Sequence, residues 1–143
     1  WRRKMDNRNN EEMNPEMTGN VDADRFRVVL CGANAYEKKY YFNNKFDKIP
    51  ENIKEELHII CVLFTEEVGG IFTIGFTPYG DVEMDTQHEE GDLLYDDIGA
   101  ELLMKEIRRK KAEMFKALSI YFKVTFLHQD AAELLEQDDE EEE

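Results

Sequence analysis

The chain has 143 residues, enough for one domain around a single core, and its formal net charge at pH 7 is −15. That balance argues against non-specific attachment to phosphate backbones or anionic membranes. No run of about 18 apolar residues occurs, so no transmembrane helix is expected.

The charge is unevenly placed. Residues 130–143 hold nine acids and no base, whereas residues 26–129 carry 13 bases and 18 acids and are only mildly acidic. Residues 1–25 are polar, rich in Asn and Glu, and lack an apolar period, which predicts a disordered segment. The acidic stretch 129–143 predicts a second one, leaving a single domain over 26–128. Trp1-Arg2-Arg3-Lys4 has the charge of a signal n-region, but no apolar stretch follows, and Met5 reads as a start.

Val28-Val29-Leu30-Cys31 is a short apolar run ending at Gly32, and its length fits a strand or the start of a helix. From Asn34 to Phe46 the pairs Tyr36/Tyr40 and Phe42/Phe46 stand at helical spacing, so a short helix and an irregular bend are expected. Pro50 suits the first helical position and Glu51 the positive first turn. Ile53, Leu57, Ile60, Cys61, Phe64 and Val68 then recur at three- and four-residue steps, and Gly69-Gly70 stops the helix.

Phe72, Ile74 and Phe76 alternate with Thr73, Gly75 and Thr77, and Val82 and Met84 with Asp81, Glu83 and Asp85. With Pro78-Tyr79-Gly80 between them, these runs predict an antiparallel hairpin of about 71–77 and 81–87. Asp92 is a plausible N-cap for one long amphipathic helix over about 92–127, in which no Pro occurs. Ile120, Phe122, Val124 and Phe126 also alternate, so a third strand is the alternative for the last stretch. The fold class is therefore α+β: two N-terminal helical segments, the hairpin and the long C-terminal helix.

Charge switches sign along this second half. Eleven acids and no Lys or Arg lie between Glu66 and Glu101, and Lys105, Arg108, Arg109, Lys110, Lys111, Lys116 and Lys123 follow. Acids at the start of a helix and bases near its end complement the macrodipole, although only within the terminal turns. The run Arg108–Lys111 reads as a solvated face, with no nucleic-acid partner implied.

Few residues form a catalytic pattern. His58, flanked by apolar residues on the expected helix, reads as a structural histidine. His88, beside Glu89, Glu90 and Asp92, is the best metal-ligand candidate, yet neither a helical two-histidine spacing nor a calcium loop is present. No metal or cofactor is assigned. Cys31, followed by Gly32-Ala33-Asn34, would be a candidate reactive thiol if a helix began there. The simpler reading is a buried small hydrophobe, and Cys31 and Cys61, without a C-x-x-C spacing, fit free thiols in a reducing cytoplasm. Asp96-Asp97 and Glu66-Glu67 are adjacent pairs that diverge by about 100° on a helix, so neither converges on one substrate atom. Gly69-Gly70 lacks the frame of a phosphate loop.

Leu30-Cys31-Gly32-Ala33-Asn34-Ala35-Tyr36-Glu37, Gly69-Gly70-Ile71 and Glu90-Gly91-Asp92-Leu93-Leu94-Tyr95-Asp96 resemble a family of small uncharacterised proteins from Clostridia-type bacteria, a domain of unknown function. The resemblance covers roughly Val28 to Leu127 and implies a single-domain bacterial cytoplasmic protein, with no activity or ligand attached.

The resulting expectation is a non-enzymatic cytoplasmic interaction or regulatory module. A protein partner or a homodimer is expected at the aromatic end of the long helix, Ile120–Leu127. A small enzyme using Cys31 or a His88 site is the first alternative, and an acidic decoy or immunity-type protein neutralising a basic partner is the second. The polar surface to inspect first is Asp81, Glu83, Asp85, His88, Glu89, Glu90 and Asp92.

Overall fold

The structure, a computed structural model, describes residues 25–135. The disordered segment expected over 1–25 lies outside that range except for Arg25, as does the acidic stretch from residue 136.

Four strands form one antiparallel sheet: β1 (Val28–Asn34), β2 (Lys39–Phe42), β3 (Ile71–Phe76) and β4 (Val82–Gln87), in the order β2-β1-β3-β4. The helix expected between Asn34 and Phe46 is a hairpin instead, followed by a 3-10 turn at Asn44–Phe46. Asn34 explains the change. Its side chain accepts from the backbone N–H groups of Tyr36 and Glu37 at 2.9 and 3.1 Å, closing a local turn that competes with a helix. Lys38 completes the reversal at φ 55°. Tyr40 and Phe42 then face the main core while Tyr41 joins a small cluster with Phe26 and Val29 on the other face. An aromatic run can satisfy a period of two as readily as one of four, which is why spacing alone misassigned it.

Strand β1 is central, pairing Cys31 with Phe42 on one side and with Ile74 on the other. The β1–β3 register shifts between Val29 and Cys31, and this bulge lets the consecutive side chains Leu30 and Cys31 both join the main core. Gly75 on β3 has no side chain because Phe26 lies over it: a Cβ there would come within 2.8 Å of the Phe26 ring.

Helix α1 (Glu51–Val68) packs across β1, β2 and β3. It buries Leu57, Ile60, Cys61, Phe64 and Val68, the predicted stripe. Pro50 is its N-cap residue, one place before the expected position, and Gly69 at φ 91° ends it. The 71–77/81–87 hairpin is present as β3 and β4, with Gly80 at φ 95° in the turn.

The single long helix is corrected in two respects. It begins at Asp97 rather than Asp92, and it breaks at Lys111 into α2 (Asp97–Lys110) and α3 (Ala112–Thr125). One straight helix over 97–125 would run about 43 Å, whereas strands of this sheet's length span roughly 20 Å. The bend lets α2 lie along α1 while α3 turns onto β4. Residues 120–125 are helical, so the alternative third strand is excluded. Phe122 stacks on Phe76 at 4.2 Å between ring centroids and Phe126 stacks on Phe122 at 5.2 Å, with Phe46 against both. Beyond α3, residues 131–135 form a further helical turn whose Leu134 is buried.

Candidate functional site

The switch from acid to base is used within the fold. Lys123 on α3 pairs with Asp81 at 3.0 Å, and Arg108 on α2 pairs with Glu83 at 3.2 Å. Arg25 reaches Glu83 and Asp85 at 3.8 and 3.7 Å, and Lys111 pairs with Glu56 on α1. The acidic face of β4 is therefore matched by cations from elements that sequence distance separates. Such exposed pairs are worth roughly 0.2–1 kcal/mol each, so they orient the helices more than they hold them.

The rest of the candidate surface lies in the loop 88–96, and it is anchored with care. Tyr36, in the β1–β2 turn, donates to Asp92 Oδ2 at 2.5 Å and accepts from the Glu89 N–H at 2.9 Å. The hydrogen bond from Tyr36 holds the Asp92 carboxyl below its ordinary pKa, and partial burial together with Asp92 raises that of Tyr36. Asp92 Oδ1 accepts from the Leu94 N–H at 3.0 Å, so it shapes the loop and does not cap the helix. Asp96 is the N-cap, accepting from the Gly99 N–H at 2.9 Å. Tyr95 shares a 2.7 Å hydrogen bond with Thr86 and stacks against His88 at 4.4 Å.

Behind the loop, the Ala35 N–H donates to the Gly70 carbonyl at 2.9 Å, and a Cβ on Gly70 would come within 2.8 Å of the Tyr95 ring. The turn after β1, the glycine pair after α1 and the loop before α2 thus meet at one end of the sheet. A family model described as a family of unknown function (DUF6145) matches residues 27–130. The chain belongs to that family. No curated protein and no solved structure matches it significantly.

Within this family domain the candidate thiol is far from any helix start. Cys31 lies mid-strand and fully buried, its Sγ 3.8 Å from that of Cys61 beneath α1. Burial pushes the Cys61 thiol well above its ordinary pKa, which disfavours the thiolate that nucleophilic chemistry needs. His58 stacks on Tyr40 at 4.2 Å in the same region. His88 contacts the Glu89 carbonyl through Nδ1 at 3.1 Å, and among the described residues no group of three or more His, Cys, Asp or Glu side chains is placed to hold a metal ion.

Beside its exposed acids Glu89, Glu90 and Asp96, the anchored loop also presents apolar side chains outward. Leu93 and Leu94 are 94% and 92% exposed, and Ile98 and Leu102 on α2 are 74% and 62% exposed. Ile59 and Leu63 on α1 are each more than half exposed as well. The Asp96 N–H reaches the Val68 carbonyl at one end and Lys111 reaches Glu56 at the other, so α1 and α2 run antiparallel, with Leu63 and Leu102 at a similar level. The aromatic end of α3, expected to carry surplus apolar surface, spends Phe122 and Phe126 on the core. Tyr36, Tyr95 and Thr86 were not among the expected site residues. Their hydroxyl groups act only through tertiary contacts, and no local spacing marks them.

Between β4 and α3 lies a groove of about 520 Å³ lined by Val82, Phe115, Lys116, Ser119, Ile120 and Leu134 among others. Ser119 donates to the Gly80 carbonyl at 3.0 Å and accepts from the Val82 N–H at 3.2 Å, sealing that end of the β4 edge.

Proposed function

We propose that this chain is a small, non-enzymatic cytoplasmic interaction or regulatory module of a bacterium. Its contact surface is the apolar ridge of Leu93, Leu94, Ile98 and Leu102, flanked by Ile59 and Leu63. The observation that carries this reading is the pairing of exposed leucines with a loop that Tyr36, Asp92, Thr86 and Tyr95 hold in place. Isolated exposed apolar residues are common, but a run of them over two helices and one anchored loop is typical of binding surfaces. The unbridged buried thiols Cys31 and Cys61 support the cytoplasmic part. Among the described residues no helix is long and apolar enough to cross a membrane. The net charge of −15 favours a protein partner over nucleic acid. An acidic decoy is less well supported, because Asp81 and Glu83 engage the chain's own cations.

A photo-crosslinking side chain placed at position 102 in living cells tests the reading, with a second one at exposed Thr125 as the control. Covalent adducts of defined mass are expected from position 102 and not from 125. If position 102 yields none, the ridge is not a contact surface and the reading fails.

A further inference from the structure

We infer that the ridge is covered by a second copy of this chain, α2 packing antiparallel on its equivalent about a twofold axis. This inference rests on the proposed contact surface and names its occupant. Helix α2 buries Ala100 and Ile107 and half-buries Leu103 and Met104 toward α1 and the core. Ile98, Leu102, Lys105 and Arg109 fall on the opposite side at steps of four, three and four, the spacing of a helix–helix seam.

Charge along that seam selects the partner. Asp97 and Glu101 occupy the N-terminal half of α2, continuing the acids Asp92 and Asp96 of the loop, and Lys105, Arg108, Arg109 and Lys110 occupy the C-terminal half. Macrodipole complementation accounts for the acids of the first turn and the bases of the last, but its reach is about one turn. Lys105 lies further in and is exposed on the seam. A twofold contact must be complementary to itself. An antiparallel copy meets that condition: it sets the acidic half of one α2 against the basic half of the other, whereas a parallel copy would set like on like. With Ile98 opposite Leu102 of the second copy, Lys105 and Arg109 face the second copy's loop acids around Asp92 and Asp96. Arg109 has its own partner in Glu106 at 3.6 Å, an exposed pair that exchanges readily. Ile59 and Leu63 on α1 extend the buried area toward the roughly 800 Å² per partner of a stable contact.

Sedimentation equilibrium of the full chain, from micromolar to near-millimolar concentration, is expected to show a reversible monomer–dimer equilibrium. Leu102→Glu and, separately, the pair Lys105→Glu and Arg109→Glu should each weaken it by at least about tenfold. Because these side chains are exposed, thermal unfolding of each variant should stay within a few degrees of the parent. A parent chain that is monomeric at every concentration overturns the inference, as does a dimer that Leu102→Glu leaves intact. A dimer indifferent to the charge reversal overturns the antiparallel arrangement. The crosslink at position 102 separates the two levels: an adduct of this chain with itself supports the second copy. An adduct with a different protein only retains the contact surface and overturns the second copy, and no adduct removes both.

Discussion

At the scale of single residues, Tyr36 does more than its position in a turn implies. Its hydroxyl donates to Asp92 and accepts from the Glu89 N–H, tying the 88–96 loop to the β1–β2 turn. A depressed carboxyl pKa means the folded state gains from the ionised form. Asp92 therefore contributes stability that is complete above the ordinary carboxylate range and is lost as pH falls through its lowered value. In Tyr36→Phe the Asp92 carboxyl should titrate at higher pH, read by carbon NMR of the side chain, and the Glu89 amide should exchange faster with solvent. An unchanged titration would show that the hydrogen bond does not stabilise the ionised carboxylate. The sequence marked Asp92 and Glu89 as members of an acidic surface, because acidity is a property of composition. It could not mark Tyr36, whose role exists only once a strand turn and a loop 56 positions away are in contact.

Among the elements, the ones bounded by glycine or proline were legible. Helix α1 and the β3–β4 hairpin stand where Pro50, Gly69-Gly70 and Pro78-Tyr79-Gly80 punctuate the chain. Gly70 shows how strict such punctuation is. Its φ is 77°, and a side chain there would meet the Gln87 carbonyl and the Tyr95 ring. Gly70→Ala is expected to destabilise the domain by about 1–3 kcal/mol, measured as a shift in the urea midpoint, and to loosen Tyr95 from Thr86. A midpoint unchanged from the parent would mean that the loop moves aside freely. Elements without such punctuation were left open or misread: β1 fitted a strand or a helix start, the β2 stretch was expected as a short helix, and α2 with α3 as one helix. Neither Gly nor Pro marks the break at Lys111, because its cause is the size of the sheet that the helices must cover.

For the molecule as a whole, stability is expected to centre where α3 closes on the sheet. Phe122 stacks on Phe76 and touches Phe46 and Phe126. Truncating such a residue removes its transfer free energy and leaves a cavity, so Phe122→Ala should cost about 3–5 kcal/mol, checked by chemical denaturation. A loss under about 1 kcal/mol would mean that this end of the core is loosely packed. The same packing buries Phe122 and partly buries Phe126, while Leu93, Leu94, Ile98 and Leu102 stay exposed. From sequence alone came the α+β class, the α1 stripe, the β3–β4 hairpin and the polarity of charge, since each depends on residues close together in the chain. The tertiary structure alone decided which apolar residues are buried in the core and which remain exposed. An amphipathic period says that a face is apolar, not what covers it, and burial depends on contacts between residues far apart in the chain.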